Sequence, residues 1–97
     1  MRIELKKFGD ILISRPAGRE AYLVMSSSLV KNIKKAEKII IDFAGVKVLT
    51  PSWADEVITK LAENHSIEVE NTDNPTVRET LKTLSRYSGL TLSQSKY

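Results

Sequence analysis

The chain contains no cysteine. Disulfide stapling and thiolate zinc sites are thereby excluded, and a reducing compartment is compatible with the composition. There is a single histidine, His65, placed by the pattern in a helix-to-strand connection. Neither a Cys–His pair nor a convincing Ser–His–Asp arrangement can be assembled from this inventory. The glycines, Gly9, Gly18, Gly45 and Gly89, are scattered, so neither the P-loop nor the dinucleotide-binding fingerprint is present. No apolar run approaches the ~20 residues that cross a bilayer. The N-terminal MRIELKKF lacks the continuous apolar segment of a secretory signal. These absences argue against an enzyme and give no reason to expect a cofactor or a metal. They make a cytoplasmic protein without a membrane anchor the expectation.

What is present suits one small folded domain. The 97 residues are 41% hydrophobic and 28% charged, ordinary values for a globular protein of this size. The net charge of +3 is unevenly placed, with the Lys and Arg excess in the first half of the chain. Lys31, Lys34, Lys35 and Lys38 form its densest part. Such a cluster suits an acidic partner or nucleic acid. No aromatic residues are interleaved with these lysines, so a solvated helix face and a lysine-blunted sheet edge are the better reading.

Hydrophobic spacing organises the chain. Arg2 to Lys7 alternates apolar and charged residues, as a half-buried strand does. Gly9-Asp10 reads as a turn and Ile11 to Ser14 as a second strand, forming a hairpin with the first. A helix follows from about Pro16 to Lys35, with Tyr22, Met25, Leu29, Ile33 and Ala36 as its apolar stripe. Ser26, Ser27 and Ser28 are poor helix formers in its middle. The isoleucines of Lys38 to Asp42 argue for a strand covered on both faces. Thr50 reads as the N-cap of a second helix with Pro51 in its first turn; Trp53, Ala54, Val57, Ile58, Leu61 and Ala62 make its inner stripe. Ile67 to Glu70 is a short strand. Asn74 and Pro75 open a third helix whose inner side is Val77, Leu81, Leu84 and Tyr87 or Ser88. The fold class is α/β: a small mixed β-sheet of about four strands with three helices packed on it, in the order β-β-α-β-α-β-α. A single domain is expected over residues 1–90, with a flexible tail over 91–97.

The segment KIIIDFAGVKVLTPSWADEVITKL, Lys38 to Leu61, carries the functional signal. Thr50 and Ser52 put two hydroxyls at a helix start, where backbone N–H groups are unpaired and anions are favoured. In open α/β sheets, ligands bind beyond the carboxyl ends of strands. A phosphate on Ser52 would add about 1.5 to 2 negative charges there. Thr50 and Ser52 are therefore the phospho-acceptor or anion-binding candidates. Arg15, Asp42, Trp53 and Asp55 are the neighbouring or docking candidates. Arg15 is placed to hold an anion or to pair with Asp42, and Asp42 and Asp55 can approach each other around the strand end. Trp53 packs in the core if its stripe governs, and anchors a partner if it is exposed.

The element order and the central segment resemble a STAS-type domain, the fold of anti-sigma factor antagonists and of sulphate-transporter tails. The matching residues are the strand IIID, Val46 and Val48, and the helix start TPSWADEV. The chain is more similar still to a STAS-like family of bacterial and archaeal proteins. In that family a DF-x-G-V strand end, here Asp42 to Val46, precedes TPS, an aromatic and ADE, here Thr50 to Glu56. Ser14 to Gly18, SRP-x-G, resembles that family's opening of the first helix. The resemblance implies a regulatory, protein-binding module. In the antagonists, a serine at the position of Ser52 is phosphorylated by an anti-sigma kinase with a histidine-kinase-type ATPase fold. This chain departs from the antagonist motif in having Thr50 where an acid stands, Pro51 for the first serine and Trp53 for the following glycine.

The function expected is thus a non-enzymatic STAS-like interaction module, switched by phosphorylation at Ser52. The alternative is a nucleotide- or anion-binding sensor using the same helix start, with nucleic-acid binding behind both. The expected partner is a protein, and the expected state a monomer or weak homodimer, since Lys6 and Lys7 discourage pairing at the first-strand edge.

Overall fold

The computed structural model describes residues 1–31, 33–34, 37–87, 89 and 93–94. Its backbone is organised by parallel pairing. Strand β1 (Arg2–Glu4) pairs with β3 (Ile39–Asp42), β3 with β5 (Ile67–Glu70), and β5 with β6 (Ser93–Gln94). A second small sheet pairs β2 (Ile11–Leu12) with β4 (Val48–Leu49), also in parallel. Parallel neighbours need long crossovers, and the helices supply them.

The expected hairpin between the first two strands does not form. Strand β1 ends at Glu4, and Leu5–Phe8 winds into a 3-10 turn. That turn buries Leu5 completely and carries the chain away to a different sheet. The Ile3/Leu5 alternation looks like one strand because a 3-10 turn can bury a residue two positions on as well. Every strand pair among the described residues is parallel, so the sheet is not of the expected mixed type. The expected tail contributes Ser93–Gln94 as the outer strand β6; residues 91, 92 and 95–97 lie outside the described residues.

The register explains the isoleucine run. Arg2, Ile40 and Glu68 align across the sheet, as do Glu4, Asp42 and Glu70, so these residues share one face. That face is polar, and Ile40 on it is only half-buried. Ile3, Ile39, Ile41, Ile67 and Val69 point the other way and are all buried. The strand IIID is therefore covered fully on one face, not on both. The apolar face joins Ala21, Met25, Trp53, Val57, Ile58, Val77 and Leu84 in one hydrophobic core.

The first helix, α1 (Arg15–Val24), begins one residue earlier than expected and holds Pro16 at its second position. It continues as a π-helical turn over Met25–Leu29 and stops there, short of Lys35. The serines account for the change. Ser26 and Ser27 hydroxyls donate back to the Leu23 carbonyl at 3.2 and 2.8 Å, competing with the helical ladder. Residues 35 and 36 lie outside the described residues. The second helix, α2, runs over 51–62 as Pro51–Ala54, a π-helical turn Asp55–Thr59 and Lys60–Ala62. The third, α3 (Pro75–Tyr87), is regular, and Asn74 Oδ1 caps it by accepting from the amides of Thr76 and Val77. Helix α2 packs against both α1 and α3. No helix among the described residues is long and apolar enough to cross a membrane.

Candidate functional site

The start of α2 depends on the loop that delivers it. Phe43 to Val46 is a turn closed by Val46 N–H donating to the Phe43 carbonyl at 3.0 Å. Gly45 sits at φ +82 in its third position, the conformation a type II turn demands there. Strand β4 then brings Thr50 beside β2. Thr50 has extended backbone at the N-cap position, but its hydroxyl caps nothing. Its amide and its hydroxyl both donate to the Leu12 carbonyl, at 3.1 and 3.2 Å. Thr50 is thus a strand-to-helix brace, and the expected capping role is corrected.

Ser52 is exposed. It borders a cleft of about 210 Å³ built from three elements. Helix α1 contributes Arg15, α2 contributes Pro51, Ser52 and Asp55, and the end of α3 contributes Thr83, Leu84 and Tyr87. Of Tyr87 and Ser88, the two residues offered for the inner end of α3, Tyr87 is 78% exposed. It is the last residue of α3 and stands on the rim of this cleft. Ser88 lies outside the described residues.

Arg15 is aimed at the site by its position at the start of α1, where the Ser14 hydroxyl accepts from the Ala17 amide at 3.3 Å. Its guanidinium donates to Asp55 Oδ2 at 2.9 Å and lies 3.8 Å from Glu56 Oε1. The hydrogen bond that the guanidinium donates to Asp55 raises the Arg15 pKa above its ordinary value, so the cation persists at every working pH. Glu56 lies behind this pair, its side chain 8% exposed and facing Arg19 Nη2 at 3.3 Å and Lys60 Nζ at 2.8 Å. Lys60, against the opposing effect of burial, and then Arg19 hold the Glu56 carboxyl below the usual range.

Two of the expected neighbours are elsewhere. Trp53 is 2% exposed and is a core residue, not a docking anchor. Its backbone is where α1 crosses α2, against Gly18. Asp42 pairs with neither Arg15 nor Asp55. It accepts from Arg2 Nη2 at 2.8 Å, from Asn71 Nδ2 at 2.7 Å and from the Ala44 amide at 2.9 Å, while Arg2 also pairs with Glu70. This network closes the carboxyl ends of β3 and β5. Register explains the separation, because Asp42 lies on the polar face of the sheet and α2 packs over the other. Burial works to raise the Asp42 pKa. The Asn71, Ala44 and Arg2 donors outweigh it and leave the carboxyl below its ordinary value.

His65 has a structural role, its Nδ1–H donating to the Glu37 carbonyl at 3.1 Å. In the basic cluster, Lys38 is paired with Glu68 at 2.8 Å, Lys31 and Lys34 are exposed, and Lys35 lies outside the described residues. Among the described residues no group of three or more His, Asp or Glu is arranged to hold a metal. Sequence reasoning missed Arg19, Tyr87 and the cations Arg78, Lys82 and Arg86. The last three recur every four residues, a signal that was legible as one face of a helix.

Comparison with curated proteins and with solved structures found no match. The family described as a STAS-like domain of unknown function (DUF4325) matches residues 27–77. That span runs from the π-helical turn after α1 to the first turn of α3, and it includes Asp42, Thr50, Ser52, Trp53 and Asp55. Since it covers more than half of the chain, this protein belongs to that STAS-like family.

Proposed function

We propose that this STAS-like domain is a non-enzymatic protein-interaction module, with Ser52 as a phospho-acceptor that resets its docking surface. The observation that carries the reading is the placement of an exposed Ser52 in a cleft with the Arg15–Asp55 ion pair and the exposed ring of Tyr87. The kinase would be a protein of histidine-kinase-type ATPase fold, which moves the γ-phosphoryl group of ATP onto Ser52 Oγ and leaves ADP. A phosphate there carries about 1.5 to 2 negative charges and three acceptor oxygens. It competes with Asp55 for the Arg15 guanidinium, and the denser charge wins the fork. Asp55 is then displaced and the surface beside Tyr87 turns from nearly neutral to strongly acidic. The helix itself is undisturbed, because negative charge suits its first turn. An electrostatic change of this kind switches docking without refolding the domain.

The test is incubation of the whole chain with candidate kinases, Mg²⁺ and ATP, followed by intact mass measurement. The expected result is a gain of one phosphate that disappears in Ser52→Ala. A gain that survives this substitution, or an unchanged mass with every kinase tried, overturns the phospho-switch. Binding of a nucleotide or another anion without covalent modification is the second reading, supported by the absence of a side-chain cap on the first turn of α2. Asp55 weighs against it, since it repels a free anion approaching the same amides. Calorimetric heat on adding nucleotide, abolished by Arg15→Ala, would favour it.

A further inference from the structure

Helix α3 carries Arg78, Lys82 and Arg86 along one side of a groove of about 670 Å³, with Val69 of β5 and Leu81 on its apolar floor. Among the described residues, no carboxylate lines this groove. The acidic residue of α3, Glu79, belongs to a different surface depression with Thr83 and Pro75. The second half of the chain is net acidic, yet three of its cations stand in this one row. Their charges are largely uncommitted. Arg78 donates to the Asp73 carbonyl at 2.9 Å, and Lys82 lies 3.7 Å from Glu79. Arg86 makes no ion pair among the described residues. A helix rises ~1.5 Å per residue, so the cations are ~6 Å apart and span ~12 Å. One phosphate cannot reach all three. An extended peptide repeats its side chains on one face every ~6.6 Å, which matches the spacing.

We propose that this groove binds an acidic, extended segment of a partner protein. Successive same-face carboxylates pair with Arg78, Lys82 and Arg86, and the methylene stems of those side chains rest on Val69 and Leu81. A single nucleic-acid strand also carries a row of anions. It gains its affinity from aromatic stacking platforms as well, and among the described residues no aromatic side chain lines the groove. The three cations lie beyond the family match, which ends at residue 77. The groove is a separate surface from the Ser52 cleft, so its test and that of the phospho-switch are independent.

The experiment titrates the full chain into a fluorescein-labelled ten-glutamate peptide at low ionic strength and follows anisotropy. The wild type is expected to bind. Arg78→Glu/Lys82→Glu/Arg86→Glu is expected to bind at least about tenfold more weakly. Lys31→Glu/Lys34→Glu/Lys47→Glu, which changes net charge equally, should keep near wild-type affinity. A ten-nucleotide oligo-dT strand should bind more weakly than the peptide. If circular dichroism shows the groove variant unfolded, Lys82→Gln replaces it, with an expected loss of about threefold. Absence of binding by the wild type overturns the proposal. So does an equal loss in both triple variants, or tighter binding of the oligo-dT strand.

Discussion

Gly18 shows how much a single residue decides in this domain. A Cβ built on it would stand 2.7 Å from the Trp53 carbonyl oxygen and 3.0 Å from Trp53 Cα. Both are backbone atoms and cannot rotate away. The missing side chain is what lets α1 settle onto α2, and that crossing is what brings Arg15 to Asp55. Gly18→Ala gains up to ~1 kcal/mol of helix propensity, but it must push two helices apart against a packed core. A net loss of about 1–2 kcal/mol is expected, since overpacking costs about 1–3 kcal/mol, read as a lower urea midpoint. An unchanged midpoint would show that the helices do not cross this closely. The same residue scale explains Trp53. The side chain that could have been a docking anchor is buried at this crossing, so the exposed aromatic of the cleft is Tyr87.

At the scale of elements, strand β4 is held as much by side chains as by its sheet. It is two residues long and, among the described residues, pairs with β2 alone. Its other edge is closed by α3. The Leu49 amide donates to Thr76 Oγ1 at 3.1 Å, and the buried Thr80 hydroxyl donates to the Leu49 carbonyl at 2.8 Å. Helix α3 therefore substitutes for a neighbouring strand, and fixes the residue immediately before Thr50 and the start of α2. Thr80→Val keeps the side-chain volume but leaves the Leu49 carbonyl without its buried donor, a loss expected to cost about 1–3 kcal/mol. Slower or weaker phosphorylation at Ser52 should accompany the loss if α2 is displaced. Thermal unfolding of Thr80→Val beside the half-buried control Thr83→Val measures the effect. Equal midpoints for the two would show that α3 does not hold this edge.

For the whole molecule, the fold separates its charges by layer. One sheet face is apolar and lies in the core, while the other carries Arg2, Glu4, Asp42, Glu68 and Glu70. Arg2 ties Asp42 and Glu70 together, and Asn71, in the left-handed region at φ +56, turns the chain so that its side chain reaches Asp42. The folded Asp42 pKa is depressed relative to an unfolded value near ~3.9. The unfolded chain therefore binds the proton first on acidification. The stabilisation is fully present above about pH 5 and is lost as the pH falls through the folded value, below about 3.9. Glu56 acts in the same direction. Asp42→Asn should lower stability at pH 7 and lose less on acidification than the wild type does, so that the two denaturation curves converge in acid. Parallel curves from pH 7 to pH 3 would show that this network does not couple folding to protonation.

The inner stripe of the second helix, the strand IIID, the proline-started second and third helices and the Asn74 cap could all be read along the chain, because each depends on neighbours within a few residues. So could the exposed position of Ser52 at a helix start, and the family follows from the residues of that same segment. Which strands pair, and on which face, could not be read. The Leu5–Phe8 turn looks like strand in its burial alternation, and parallel partners lie dozens of residues apart. The partners of Arg15 and Asp42 depended on that register, as did the inward turn of Thr50 and the grouping of Arg78, Lys82 and Arg86 over Val69. Local sequence decides which elements form. Pairs within one helical turn, such as Glu56–Lys60, are marked by their spacing. Only the packing of distant elements decides which charged side chains far apart in the chain meet, because such a pair depends on separation in space.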